Sequence, residues 1–129
     1  MNKFQKIFLL LLCLMLIGGC GSGYSDELES LGATPFSIDT WKNAGKEDRA
    51  TMLHSFMIQY NVVGMSPEEL KELLGESTAY YDYDNIPAYL VGPNNIHSEY
   101  GNGYLLAFPL DHSTGLIKSY IIIPAIKNR

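Results

Sequence analysis

The order of apolar and polar positions divides the chain into an apolar amino-terminal run, a helical region and a strand region. Residues 7–17 form an unbroken run of 11 apolar residues, preceded by Lys3 and Lys6. A bilayer-spanning helix needs about 20 residues, whereas this length and the basic start are typical of a secretory signal peptide. The chain that follows must therefore supply the fold.

Helical spacing of apolar residues predicts two helices in the middle of the chain. Residues 46–60 carry apolar side chains on one helical face. That face is formed by Met52, Leu53, Phe56, Met57 and Tyr60. The second helix is predicted over Pro67–Leu74, because Ser66 is a good N-cap, Glu69 completes a capping box and Gly75 ends the helix in a left-handed conformation.

After Gly75, four short stretches rich in Tyr, Leu, Ile and Phe predict β-strands. These stretches are residues 78–83, 88–91, 104–109 and 116–123. Turn residues separate them, and Pro109 and Pro124 mark strand ends because proline cannot donate to a strand ladder. Two helices followed by a four-stranded antiparallel meander predict an α+β fold. We expect a two-layer sandwich, with the helices on one face of the sheet and the other face partly open.

A cysteine closely follows the apolar run, in the sequence Ile17-Gly18-Gly19-Cys20. Small residues before a cysteine resemble the lipobox of bacterial lipoproteins, in which the cysteine is acylated and the signal is cut just before it. The resemblance implies a signal peptide over residues 1–19 and a lipidated Cys20. The alternative is an ordinary secretory signal with a chance cysteine. Because Cys13 lies inside the apolar run, Cys20 has no disulfide partner after the cut.

The same resemblance implies a division of the chain and a location. Residues 20–34, rich in Gly, Ser and acidic side chains, are predicted to form a flexible tether. Residues 35–129 then form the α+β domain. Acylation at Cys20 would supply more than one chain, which stable anchoring in a lipid bilayer requires. The predicted location is the cell membrane or the outer membrane, with the domain on the extracytoplasmic side.

The charge of the chain excludes one class of partner. All 14 acidic residues lie after Cys20, with 7 of the 9 lysines and arginines, so this part has a formal charge of −7. Nucleic-acid binding and electrostatic docking onto anionic lipid both need clustered basic residues. We therefore expect no nucleic-acid partner.

Residues 41–123 resemble a family of small bacterial envelope proteins. The resemblance rests on Trp41-Lys42, on Arg49 and Met52, on the segment Gly-Met-Ser-x-x-Glu-x-x-x-Leu-Leu-Gly over residues 64–75, and on the tyrosine-rich strands. These proteins have the fold of the small lipoprotein of the outer-membrane β-barrel assembly complex and of the β-lactamase-inhibitor protein repeats. The resemblance implies a fold and no specific partner.

A search for reactive side chains favours a protein without catalysis. His54, His97 and His112 lack metal-ligand spacing. Ser113 follows His112 inside a predicted hairpin turn, residues 111–115, where neighbouring side chains rarely form a nucleophile and base pair. Asp82 and Asp84 alternate with tyrosines, an arrangement common on surfaces. We expect no enzyme activity, no metal and no cofactor.

Tyrosine is the residue type that indicates binding. Exposed tyrosines offer a large contact area at low entropic cost, whereas buried ones are ordinary strand residues. The candidate binding residues are Tyr80, Tyr81, Tyr83, Tyr89, Tyr100 and Tyr104. The long loop over residues 92–103 is a second candidate. The predicted function is a protein-binding or assembly module of the cell envelope; the alternative is a ligand-binding or enzyme-inhibitor lipoprotein.

Replacing Cys20 by Ala tests the anchor, because alanine has no thiol to acylate. We expect Cys20→Ala to leave the membrane fraction and to lose the acyl label that the unmodified chain incorporates. Fractionation of cells grown with labelled fatty acid measures both. A variant that stays in the membrane, together with an unlabelled wild type, would show that the protein is held there in another way.

Overall fold

Five short helices precede five strands in the computed structural model, which describes residues 24–127. The helices are α1 (Tyr24–Glu29), α2 (Ile38–Asn43), α3 (Lys46–Thr51), α4 (Leu53–Gln59) and α5 (Pro67–Leu74). The strands are β1 (Ala88–Val91), β2 (His97–Ser98), β3 (Gly101–Asn102), β4 (Tyr104–Ala107) and β5 (Ile121–Ile123). The predicted α+β class is confirmed. None of the helices within residues 24–127 is long and apolar enough to cross a lipid bilayer.

The main sheet has three antiparallel strands in the order β1-β4-β5, and β2 and β3 form a separate two-stranded sheet. Ala88 pairs with Ala107 and Val91 with Tyr104, while Leu105 of β4 pairs with Ile123 of β5. The small β2–β3 hairpin lies in the connection between β1 and β4. The sheet is therefore a three-stranded meander with one inserted hairpin, rather than the predicted four-stranded meander.

In place of the predicted strand over residues 78–83, the chain forms an irregular segment that is hydrogen-bonded to β1 and ends in a sharp turn. The backbone N–H groups of Thr78 and Ala79 both donate to the Ala88 carbonyl, at 3.0 and 3.1 Å. The chain then turns at Asp82, whose φ is 62°. A residue in that left-handed conformation cannot continue a strand, so composition alone overestimated the sheet here. β5 likewise covers a shorter range than the predicted 116–123.

The predicted helix over residues 46–60 is divided into α3 and α4 at Met52. The Thr51 carbonyl accepts a hydrogen bond from the Thr34 N–H at 3.0 Å, and the Met52 N–H donates to the Arg49 carbonyl at 3.1 Å. A Cβ atom at Gly32 would lie 2.7 Å from the Thr51 Cβ atom. The segment before α2 therefore packs closely against this turn. Its Thr34 N–H occupies the Thr51 carbonyl, which in a continuous helix would accept an N–H group of the helix itself.

The helix predicted over Pro67–Leu74 is confirmed as α5, with both of its predicted ends. The Ser66 hydroxyl accepts from the Glu69 N–H at 3.1 Å, as an N-cap should. Gly75 has a φ of 79°, and its N–H donates to the Lys71 carbonyl at 2.8 Å. Glycine suits this position because its lack of a Cβ atom removes the steric cost of positive φ.

Alternate residues of the sheet pack on opposite sides, as strand geometry requires. Tyr89, Val91 and Leu106 belong to the main core beneath the helices. Ala88, Leu105, Ala107 and Ile86 form a second, smaller cluster, against which Ala79, Tyr81, Tyr100 and Leu110 pack. The face predicted to be partly open is thus covered over this cluster, because the tyrosine-bearing segment folds across it.

The first helix extends the folded domain toward the amino terminus. Leu28 of α1 is fully buried in the main core. The Leu31 N–H donates to the Leu28 carbonyl at 3.0 Å and closes the helix end. The predicted flexible tether of residues 20–34 includes Tyr24–Glu29, which the structure shows as a helix that packs on the core through Leu28, so the folded part begins before residue 35.

Truncating Leu28 tests whether α1 belongs to the domain. We expect Leu28→Ala to lower the free energy of unfolding by about 2–5 kcal/mol, because it leaves a cavity at a fully buried position. Glu29→Ala, on the exposed side of the same helix, should change it by less than about 0.5 kcal/mol. Urea unfolding of the full chain measures both values. Equal midpoints for Leu28→Ala and the unmodified chain would mean that α1 does not stabilise the domain.

Candidate functional site

The six candidate tyrosines separate into a buried pair and a surface group. Tyr89 is fully buried, and Tyr104 is half-buried against the main core. Tyr80 and Tyr83 are each 57% exposed. The remaining two, Tyr81 and Tyr100, pack their rings with centroids 5.9 Å apart. Tyr80, Tyr81, Tyr83 and Tyr100 are therefore called the tyrosine cluster.

A three-residue turn holds the centre of the tyrosine cluster. The Tyr83 N–H donates to the Tyr81 carbonyl at 2.6 Å, across Asp82 with its positive φ. This is a γ-turn of the rare kind that carries backbone strain at its central residue. The Tyr80 hydroxyl donates to the Asp82 carbonyl at 2.6 Å and restrains the turn. Strained residues persist only where their surroundings hold them, and they concentrate at functional sites.

Tyr81 and Tyr83 of the tyrosine cluster line the groove that is the best candidate for a binding site. The groove has a volume of about 660 Å³. Two chain segments supply the polar lining: Tyr81, Asp82, Tyr83 and Asn85 from one, and Asp111, His112, Lys118 and Ser119 from the other. Apolar lining comes from Ile86, Pro109, Leu110 and Ile121. This space is called the tyrosine groove; it combines exposed aromatic rings with polar side chains on both sides.

A second cavity of about 500 Å³ adjoins the tyrosine groove and shares Asn85, Leu110 and Gly115 with it. It continues toward the first turn of α5, where Ser66 and Glu68 contribute to its lining. The two spaces together make the concave surface longer than either cavity alone.

The Asp111 carboxylate organises the turn on one side of the tyrosine groove. It accepts hydrogen bonds from the Ser113 N–H at 2.8 Å, the Ser113 hydroxyl at 2.6 Å and the Thr114 N–H at 3.1 Å. These bonds, the Ser113 hydroxyl first, lower the pKa of Asp111. The Asp111 N–H donates to the Leu116 carbonyl at 2.8 Å. The predicted hairpin turn over residues 111–115 is thus confirmed, and its serine bonds to Asp111.

The three histidines lie in three different environments. His54 is half-buried on α4, and His112 is exposed at the tyrosine groove. The Nδ1 atom of His97 lies 2.8 Å from the Asn102 side-chain oxygen. Within residues 24–127 no group of three or more His, Cys, Asp or Glu side chains could hold a metal ion.

Lys46 anchors the long loop over residues 92–103, the second candidate from the sequence. Its ammonium group donates to the Asn94 side-chain oxygen at 2.6 Å and to the Asn102 carbonyl at 2.7 Å. Its backbone carbonyl accepts from the Gly92 N–H at 2.8 Å. The loop is thus fastened to the start of α3 and contains the β2–β3 hairpin. No short-range signal marks this role of Lys46, because its partners lie about 50 residues away.

The sequence predicts Tyr81 and Tyr83 as binding residues, and the structure places both in the lining of the tyrosine groove, whose other side the sequence does not indicate. Lys118 and Ser119 reach it because Leu110 and Ile117 form an antiparallel bridge that folds the chain back. Asn85 reaches it through the turn after Tyr83. Their separation in sequence from the tyrosines gave no pattern by which to group them.

The lipobox cysteine, Cys20, lies outside the residues that the structure describes, as does the apolar run before it. Comparison of the chain with models of protein families, with curated proteins and with solved structures gives no match. The amino-terminal sequence and the tyrosine groove are therefore the features that indicate a function.

Tyr89 has a structural role that can be measured at high pH. Its buried hydroxyl donates to the Gly75 carbonyl at 2.7 Å. Burial, followed by the Glu76 charge, raises the pKa of Tyr89 from 10.0 to about 12. In the unfolded chain the phenol ionises near pH 10, so the folded state holds the proton more tightly between pH 10 and 12. Stability from this group is complete below pH 10 and is lost as the pH rises to 12.

We expect the free energy of unfolding to fall by up to about 2.7 kcal/mol more over this interval in the unmodified chain than in Tyr89→Phe. Denaturant unfolding at several pH values measures the difference. Because Phe also lacks the hydrogen bond, Tyr89→Phe should be less stable at neutral pH by about 1 kcal/mol. Parallel pH curves for the two proteins would contradict the assignment.

Proposed function

We propose that this protein is a lipid-anchored lipoprotein of the bacterial cell envelope whose α+β domain binds another protein, without catalysis of its own. Acylated Cys20 holds it at the cell membrane or the outer membrane, with the domain on the extracytoplasmic side. The anchor is supported by the basic start, the apolar run and the Gly-Gly-Cys sequence. The binding role is supported by the tyrosine groove, and above all by Tyr83 exposed at its edge on a restrained turn.

Two properties of the tyrosine cluster favour an interface. Tyr80 and Tyr83 are large side chains that keep 57% of their surface exposed, and tyrosine is enriched at the centres of protein interfaces. The γ-turn at Asp82 and the Tyr80 hydroxyl bond restrain their backbone before any partner arrives. Side chains on a restrained backbone lose less conformational entropy on binding, which favours affinity.

The proposal of a non-catalytic role is supported by the hydrogen bonds of Ser113, which lies next to His112 of the groove lining. A serine nucleophile needs a base within hydrogen-bond reach. The Ser113 hydroxyl donates to the Asp111 carboxylate, whose lowered pKa makes it a weak base. This carboxylate also accepts two backbone N–H groups, an arrangement that stabilises a turn.

A second candidate function is the capture of a small molecule or an envelope fragment by the same groove. The concavity of the tyrosine groove favours it. A volume of about 660 Å³ falls within the range of about 300–1,000 Å³ for small-molecule sites. The two candidates differ in the bound species, which is a protein in the first case and a small molecule or an envelope fragment in the second.

Photo-crosslinking in living cells separates them. A photoreactive amino acid replaces Asn85, which is exposed at the tyrosine groove, and Ile58 serves as the control position because it is 65% exposed on α4. We expect a covalently captured protein at position 85 and none at position 58. Adding Tyr83→Ala should reduce the captured amount about tenfold or more, as for a central interface residue.

The cells must contain the acylated chain at normal abundance for this comparison. Capture that survives Tyr83→Ala would show that the partner uses another surface. Absence of any partner at position 85, with the chain folded and anchored, would refute protein binding at this site and leave the small-ligand candidate.

A further inference from the structure

The polar side chains at the tyrosine groove include hydrogen-bond donors that are available to a ligand. Asn85, His112, Lys118 and Ser119 all carry donors, and within residues 24–127 their side chains make no hydrogen bond. The Tyr83 hydroxyl adds another donor. On the acceptor side, Oδ1 of Asp111 is occupied by its own turn, whereas the Asp82 carboxylate also lines the groove. A matching ligand therefore presents acceptors to these donors and a positive charge to Asp82.

An extended proline-rich peptide has that composition. Proline has no backbone N–H, and a polyproline II helix makes no internal hydrogen bonds, so its carbonyl oxygens remain available as acceptors. Its pyrrolidine rings are apolar and pack against aromatic side chains in grooves that recognise such segments. Tyr81 and Tyr83 supply those aromatic side chains, two residues apart on one γ-turn.

The shape of the surface fits an extended ligand. The tyrosine groove and the adjoining cavity share Asn85, Leu110 and Gly115 and continue to the first turn of α5. A polyproline II segment rises about 3.1 Å per residue and stays straight over several residues. A compact ligand would use one of the two spaces, whereas an extended segment can occupy both.

Charge adds a preference for a basic residue beside the prolines. Acidic side chains outnumber lysines along the two spaces. The acidic residues are Asp82, Asp84, Asp111, Glu68 and Glu76, and the lysines are Lys71 and Lys118. Lys71 already lies 3.7 Å from Glu76. Asp82 and Asp84 therefore favour a cation on the ligand.

We propose that the tyrosine groove binds a proline-rich segment in polyproline II conformation, with an arginine or lysine next to the prolines. The proposal rests on the protein-binding function above and names the class of segment that the partner supplies. Tyr81 and Tyr83 contact the proline rings, the donors around Asn85 and Ser119 bind the carbonyl oxygens, and Asp82 and Asp84 attract the cation.

Titration of the full chain, purified from membranes in detergent, tests this with defined probes. The first is a blocked peptide of about eight residues, one arginine followed by prolines, which spans about 25 Å. The others are the same peptide with glutamate in place of arginine, an arginine peptide with a glycine-serine sequence, and a chitin oligosaccharide. Tyrosine-ring signals in nuclear magnetic resonance spectra report the site, and the dissociation constant follows from the titration.

We expect the arginine–proline peptide to shift the signals of Tyr81 and Tyr83 and to bind about fivefold more tightly than the glutamate peptide. Tyr83→Ala should weaken binding about tenfold or more, and Tyr83→Phe, which keeps the ring, by about threefold or less. Ile58→Ala, an exposed substitution on α4, should leave it unchanged. Tyr83 is exposed, so the variants should retain the fold, which their spectra verify directly.

Three outcomes would overturn the proposal: no binding of the proline peptide, equal binding of the glycine-serine peptide, or binding that Tyr83→Ala leaves intact. Binding of the chitin oligosaccharide without the proline peptide would also overturn it, and would identify the groove as a saccharide site. If crosslinking at position 85 still captures a Tyr83-dependent partner while the proline peptide fails, protein binding stands and only the class of segment is wrong. Loss of both refutes the proposed function itself.

Discussion

The carbonyl groups at the end of α5 hold the domain together, because side chains from two distant parts of the chain donate to them. The Trp41 indole N–H donates to the Leu74 carbonyl at 2.8 Å, and the Tyr89 hydroxyl donates to the Gly75 carbonyl at 2.7 Å. The last carbonyls of a helix have no partner within the helix. Here they join α2, α5 and β1 at a single point, and the Trp41 and Tyr89 rings meet edge to face with centroids 6.2 Å apart.

The position of the tyrosine groove depends on that junction. Because Tyr89 fixes β1 against the end of α5, the segment after α5 must run along β1. The Ser77 hydroxyl accepts from the Ala88 N–H at 3.1 Å, and the Thr78 hydroxyl accepts from the Leu90 N–H at 3.0 Å. This segment covers the outer edge of β1 and leads directly into the γ-turn at Asp82. The exposure of these tyrosines thus follows from the hydrogen bonds that the carbonyl groups at the end of α5 accept.

Local signals predicted the parts of the fold that local interactions form. Ser66 and Gly75 define α5 from within a few residues, and both ends agree with the structure. The division of the first predicted helix was not predictable from local signals, because it depends on the hydrogen bond that the Thr51 carbonyl accepts from the distant Thr34 N–H. The same holds for Asp82, whose conformation depends on the Tyr80 hydroxyl and on the contacts with Ala88. Tyrosine-rich composition at residues 78–83 therefore predicted a strand where long-range contacts form a turn.

The candidate site was predictable only in part, for a related reason. Strand alternation shows that neighbouring tyrosines face opposite sides, but it does not show which side lies beneath the helices. Tyr89 belongs to the core for that reason, although it is the same residue type as the exposed Tyr83. The donors at Asn85, Lys118 and Ser119 enter the groove through turns, and turns set positions in space that sequence spacing does not encode.

In the proposed lipoprotein, the burial of Leu28 limits how far the domain can stand from the bilayer. α1 begins at Tyr24 and packs on the core through Leu28, so three residues separate Cys20 from the folded part. Fully extended, that connection spans about 14 Å between the Cα atoms of Cys20 and Tyr24. The domain then works within about its own diameter of the lipid headgroups. A partner of the proposed lipoprotein would have to reach the membrane surface to meet it, which favours proteins that are attached to, or emerge from, the same membrane.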